Sequence, residues 1–218
     1  EKEPPKEFAL PPSNQAMRRV YAYLLQQRHI SREVLSAFAQ KGLIYESREL
    51  SIDQTKVYHN AVFVGTDEHG VARHAQKRST NSQGKSFKLN VAGSDARYSF
   101  HHPGTDGDLY VFEAPIDLLS YITLHPENWQ QHSYVACCGT SYEPVRWILT
   151  RMEAPQMVSL CLDHDNAGDQ GCERMAKQIS SEFGFPTRRL VPEQKDWNED
   201  LCALREAPRR QRMEMEMR

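Results

Sequence analysis

Two carboxylates one residue apart, Asp163 and Asp165, close the apolar run Val158–Leu162, and the small-residue turn Asn166-Ala167-Gly168 follows them. Such a run predicts a buried parallel strand that delivers its acids to the C-terminal edge of a sheet, where open α/β sheets bind ligands. Side chains alternate in extended backbone, so Asp163 and Asp165 are expected on one side and His164 on the other. Same-facing carboxylates repel unless a cation lies between them, which points to Mg²⁺. The plainer alternative is an aspartate that caps the next helix beside a second that is only solvated.

Further acids fall at equivalent places. Glu113 ends the apolar run Leu109–Phe112, Asp117 follows one helical turn on, and Lys195-Asp196-Trp197-Asn198 follows the run Thr187–Val191. Acids after three of four successive strands gather on one edge if the strands are parallel, and solvation alone is a poor explanation for that. Metal held by one or two carboxylates, with its other positions open to phosphate oxygens, suits phosphoryl transfer on a nucleotide or nucleic acid. A local concentration of cations supplies the other half of such chemistry. Arg73, Lys77, Arg78, Lys85, Lys88 and Arg97 lie close in sequence with Asp95 the only acid among them, and Phe87 and Tyr98 are interleaved. Together with Asn90 these residues predict a phosphate-backbone or nucleotide contact surface; the alternative is a solvated hairpin rim.

The elements that must position these groups are legible from periodicity. Beyond the Gly/Pro/Asp-rich turn His101–Asp108, short apolar runs alternate with helical patterns: strands at Leu109–Phe112, Ser133–Cys138, Met157–Leu162 and Thr187–Val191, and helices opening at Pro115, at Tyr142, after Gly168 and at Asp196. This predicts an α/β domain over 107–206, a four-stranded parallel sheet with flanking helices. Before it, residues 13–106 predict a smaller basic α+β subdomain: a helix capped by Ser13-Asn14, a second capped by Ser31 and stopped at Gly42, and a hairpin from Ala61–Gly65 and Val71–Lys77. Residues 1–12 are expected to be a Pro- and charge-rich arm, and 207–218 a tail tending to helix.

The totals narrow the class. Among 218 residues, 27 Lys and Arg against 29 Asp and Glu leave a net charge of −2, so any basic surface must be local. No apolar run approaches membrane-spanning length and no signal peptide is visible. The five cysteines show no C-x-x-C spacing, as expected of buried free thiols in the cytoplasm. No nucleophile–His–Asp order is readable, and Tyr134, Tyr142, Trp129, Trp147 and Trp197 are expected to serve in packing. The chain opens on Glu1 without a Met, as a fragment of a longer protein would.

Glu113 after one strand, Gly139 after the next, and the stretch Leu162–Gly171 after the third resemble the Toprim domain shared by DnaG-type primases, topoisomerases and some nucleases. The N-terminal half resembles the basic subdomain of the DnaG-type primase core through Tyr23-Leu24, Arg28, Ile30 and Phe38, the lone Arg78, and Lys88-Leu89-Asn90. Glu113-Ala114-Pro115-Ile116-Asp117 and the Lys-Asp-Trp-Asn ending look most like Toprim proteins of plasmids and integrative elements. The resemblance implies Glu113 as acid/base residue and Asp163 and Asp165 as metal carboxylates, with Asp117 and Asp196 at further acidic positions, Mg²⁺ or Mn²⁺ as cofactor, and single-stranded DNA and nucleoside triphosphates as partners. It implies a primase-like nucleotidyltransferase of a mobile element, working with other replication or mobilisation proteins. A Toprim nuclease or nickase, or a non-catalytic nucleic-acid-binding module, is the alternative. Three departures stand out: Ala114 where primases carry Gly, His164 where the family has a small or polar residue, and no zinc-binding module in the chain.

Overall fold

The computed structural model describes residues 7–51, 53–81, 86–153 and 155–216. Lys85 and part of the expected N-terminal arm lie outside these residues.

The first half is an antiparallel sheet backed by two short helices. Helix α1 (Arg18–Ala22) widens into a π-helical turn at Tyr23–Gln27, and α2 (Arg32–Gln40) comes next. The Ser31 hydroxyl accepts from Val34 N at 3.1 Å, and Gly42 ends α2 at φ +71°, both as expected from the sequence. Four strands complete this half: β1 (Ile44–Leu50), β2 (Val57–Thr66), β3 (Ala72–Ser79) and β4 (Lys88–Asn90), paired in the order β1-β2-β3-β4.

One expectation fails here, and the same cause hides β1 in the sequence. Ser13 and Asn14 do not cap a helix; Ser13 bridges to Ser47 and Asn14 N donates to the Glu46 carbonyl. The helix begins later, and its free N–H groups are met by the carboxylate of Glu46, which accepts from Arg19 N at 3.0 Å and Val20 N at 3.2 Å. Glu46 therefore sits buried on the core face of β1, beside His59. A charged residue at an inward position hides the alternation by which β1 could have been recognised.

The second half is a five-stranded sheet in the order β5-β7-β6-β8-β9, built from β5 (His101–His102), β6 (Asp108–Phe112), β7 (Ser133–Ala136), β8 (Met157–Leu160) and β9 (Thr187–Arg189). The last four are parallel, as expected. The fifth, β5, adds an antiparallel edge inside the stretch expected to be a turn; it is only two residues long, too short for a pattern to show. Helices α3 (Pro115–Leu124), α4 (Glu143–Leu149), α5 (Asn166–Glu182) and α6 (Trp197–Glu216) alternate with the strands.

Strand alternation sorts side chains into two cores. Leu109, Val111, Val135, Val158 and Leu160 pack with Val145, Ile148, Met175 and Ile179 of α4 and α5. Tyr110, Phe112, Tyr134 and Ala136 face the other way, onto α3 and Leu201 of α6, and this cluster runs on into Leu24, Leu35, Phe38, Ile44 and Phe63 of the first half. One continuous apolar core thus joins the two halves across α3 and fixes the first sheet against the edge where the acids emerge.

Candidate metal and nucleic-acid site

Glu113 follows β6 directly, so its backbone lies at the C-terminal edge of the parallel sheet; its carbonyl accepts from Gly139 N at 3.1 Å, tying it to the turn after β7. Pro115 opens α3, which places Asp117 in the first helical turn, buried, with Oδ1 accepting from Asn198 N at 3.4 Å. Asp163 follows β8, the neighbour of β6. Asp165 and Asp196 stand at helix starts. Asp165 Oδ1 accepts from Gly168 N at 2.9 Å and caps α5, and Asp196 Oδ1 accepts from Glu199 N at 2.7 Å at the start of α6. For Asp165, then, capping and membership of an acidic cluster coexist. The ladder of β8 stops at Leu160, so strand alternation does not aim Asp163 and Asp165; local hydrogen bonds do, including that of His164 N to the Lys195 carbonyl at 2.7 Å.

Electrostatics shows that these carboxylates share one field. Burial, then the charges of Glu113 and Asp196, push the Asp163 carboxyl up to about 7; Lys88 opposes them and Asp165 adds to them. Burial, then Asp196 and Asp163, raise Asp117 well above the ordinary carboxylate range, against the Asn198 N–H and Lys88. Asp163 Oδ1 is buried and has no hydrogen-bond partner among the described residues. A buried acceptor without a donor, among like charges, fits a divalent cation, which satisfies the oxygen and removes the repulsion together. Among the described residues, no three of these carboxylates have ligand atoms all within 4.8 Å of one another. Among the described residues, the trio whose ligand atoms all lie within 4.8 Å of one another is Asp106, Asp108 and His132. That trio sits at the N-terminal ends of β6 and β7, the opposite edge of the sheet, where Asp106 is bonded to the His132 ring and to Asp108 N. Mg²⁺ takes only one or two direct carboxylates and keeps waters at its other positions, so it does not require such a trio.

The cations divide over the two faces of the first sheet. In the register of β3 and β4, Arg78 lies opposite Lys88 and Gln76 opposite Asn90, so these four share a face, while Lys77 and Leu89 share the other. The Arg78–Lys88 face looks to the carboxylates. Lys88 lowers both Asp117 and Asp163, and Asn90 reaches the Cys138 carbonyl, at 3.5 Å, in the turn beside Glu113. Arg78 Nε is buried without a partner among the described residues. Lys77 instead pairs with Glu49 at 2.7 Å, and Arg73, at a bulge, with Asp67 at 2.8 Å. Arg97 pairs with Asp95. The sequence span from Arg73 to Arg97 is nearly free of acids, but β1 and the β2–β3 turn supply them.

Asn198 was not singled out as a site residue by sequence reasoning. Its amide is buried, donates to the Arg28 carbonyl and Ser120 Oγ, both at 2.9 Å, and accepts from Arg28 Nη1 at 3.1 Å, while its N–H meets Asp117. Apart from the Cys202 thiol one turn on, its partners lie 78 to 170 residues away, so its place at the end of Lys195–Asn198 does not show what it bonds.

Residues 22–106 match a family model described as a protein of unknown function (DUF3991), and residues 110–201 match the Toprim-like family. A Bacillus anthracis relative, "Uncharacterized protein pXO2-78/BXB0107/GBAA_pXO2_0107", is 27% identical over 202 residues; the match takes in 84% of this chain and 56% of that protein. This chain therefore spans little more than half the length of that relative. Among solved structures, the primase fragment of the bacteriophage T7 primase-helicase protein superposes with a TM-score of 0.61 at 19% identity, over 85% of this chain and 70% of that one. The DnaG primase catalytic domain bound to ssDNA gives 0.55 at 16% identity, over 91% and 73%. At such identities the likeness is one of fold. Residues 110–201 are thus a Toprim-like domain, and the chain carries the fold of a DnaG-type primase core.

Proposed function

We propose that this chain is the catalytic core of a primase-like, metal-dependent nucleotidyltransferase that acts on single-stranded DNA in the replication or transfer of a mobile element. In this reading residues 13–106 are the subdomain that holds template and incoming triphosphate, and 107–206 the Toprim domain that carries the carboxylates. The observation that carries the proposal is Asp163: a buried carboxylate oxygen without a partner among the described residues, in the field of Glu113 and Asp196, with Lys88 of the other half acting on it.

Glu113, Asp163 and Asp165 would hold Mg²⁺ or Mn²⁺, with Asp117 and Asp196 contributing negative charge behind them. When bound, the metal supplies charge neutralisation and Lewis acidity at the phosphate being transferred. The chain's own residues do the rest. Lys88 and Arg78 face the carboxylates and bind triphosphate or template phosphate, Asn90 orients the turn after β7, and Glu113 accepts the proton of the attacking hydroxyl. Arg73 and Lys85 take the flanking DNA backbone, while Lys77, expected from the sequence to join them, is held on the other face by Glu49.

Incubation with ribonucleotides, a single-stranded template and Mg²⁺ or Mn²⁺ tests this. Extension products are expected, reduced roughly 100-fold or more by Asp163→Asn and by Glu113→Gln, with template binding retained. Metal-dependent cleavage in place of extension assigns the same edge to a nuclease. No product, with DNA binding indifferent to metal and to both substitutions, leaves only a binding module.

A further inference from the structure

Past Leu160 the chain leaves the ladder, so Asp163 and Asp165 stand on backbone that no neighbouring strand holds. Arg189, the last residue of β9, spans that gap. Its Nη1 donates to the carbonyl of Leu162 at 2.7 Å, to that of Leu190 at 3.0 Å and, at the longer distance of 3.4 Å, to that of Leu160. Its Nη2 donates to the carbonyl of Asp163 at 2.8 Å and to the carboxylate of Asp169 at 3.1 Å. One guanidinium thus takes the donor role that a longer β9 would have filled, and Asp169, one turn into α5, holds it there.

The rest of the loop is built around the same carbonyl. A Cβ at Gly168 would collide with Asp163 O, so the start of α5 can press against it only because that residue is glycine. Arg189 acts through this backbone. The leading charges on the Asp163 carboxyl are Glu113, Asp196, Lys88 and Asp165, and Arg189 is not among them.

We infer that Arg189 is a positioning residue: by bonding the Leu162 and Asp163 carbonyls it presets the Asp163–Asp165 loop in the geometry that binds the divalent cation. This rests on the metal-dependent reading above. A lysine at the same position keeps the charge and loses the fork, so it separates geometry from electrostatics.

Two measurements on the full chain test the inference, using Arg189→Lys and Arg189→Met. Mn²⁺ affinity, read by calorimetry or by the spectrum of free Mn²⁺, is expected to fall about tenfold or more in both variants, with lysine giving no rescue. Amide hydrogen exchange in the metal-free protein is expected to quicken over 161–168, while the strands β6 and β7 keep their protection. Affinity within twofold of the parent together with unchanged exchange overturns the inference. Recovery of affinity by lysine overturns it in favour of a charge effect. Loss of the whole fold in both variants, seen by thermal melting, overturns it in favour of a purely structural role. A parent protein that binds no Mn²⁺ sinks the metal reading instead, and the exchange measurement still decides whether Arg189 holds the loop.

Discussion

Asp163 is where the physical tension of this molecule concentrates. Its carboxyl rises from 3.8 in an ordinary setting to about 7, chiefly through burial and the charge of Glu113. Between those values the folded chain keeps a proton that the unfolded chain has released, so metal-free stability falls as pH rises from about 4 to 7 and then levels. Asp163→Asn is expected to raise the melting temperature of the metal-free protein at pH 8 by a few degrees and to flatten that part of the pH profile. It is also expected to abolish the stabilisation that Mg²⁺ gives the parent, which thermal melts with and without metal can read. His74 carries the opposite sign. Burial, only partly offset by Asp95, lowers it from 6.5 to about 4, and its Nδ1 has no partner among the described residues. Across that interval the unfolded chain takes up a proton that the folded chain refuses, so stability is lost as pH falls from 6.5 towards 4, by roughly 3 kcal/mol at most. His74→Leu is expected to remove this acid sensitivity in denaturant titrations at pH 4.5 and pH 7.

Among the elements, the short strand β4 decides which cations can serve the carboxylates. Sequence proximity suggested one basic patch, but pleating sends Lys88 and Arg78 to one face and Lys77 to the other, where Glu49 neutralises it. Lys88→Ala is therefore expected to weaken binding of single-stranded DNA or triphosphate about fivefold or more. Lys77→Ala is expected to leave binding within about twofold and to cost about 1 kcal/mol of stability through the lost ion pair. Filter binding and denaturant unfolding of the two variants give the comparison. In β1, the inward Glu46 replaces the expected Ser13-Asn14 cap, so one residue both removes the need for a local capping signal and disguises the strand that carries it.

For the molecule as a whole, the proposed function requires the first sheet to stay registered against the Toprim edge. The apolar core that runs from Phe38 and Phe63 through Phe112 to α3 supplies most of that, and Asn198 adds a polar latch between Arg28 and Asp117. Asn198→Ala leaves the Ser120 hydroxyl its bond to the Ile116 carbonyl but strips the Arg28 carbonyl and Nη1 of their Asn198 partners, and is expected to cost about 2–3 kcal/mol. Chemical denaturation followed separately by Trp fluorescence and by circular dichroism is expected to lose coincidence if the latch couples the halves.

Local pattern was enough for the four parallel strands, their intervening helices, the Ser31 cap and the stop at Gly42, because each is written in residues close together in sequence. It was enough, too, to nominate Glu113, Asp117, Asp163, Asp165 and Asp196, since parallel strands joined by right-handed crossovers must bring their C-terminal ends to one edge. Tertiary structure alone decided the rest. The facing of Lys77 against Lys88 depends on the register of β3 with β4; the burial of Glu46 depends on a helix more than 20 residues before it. The roles of Arg189 and Asn198 depend on carbonyls and carboxylates brought from distant parts of the chain. Hydrogen bonds and charges act over a few ångströms of space, whatever the separation along the chain, so residues whose partners are distant in sequence carry no signal that a single sequence can display.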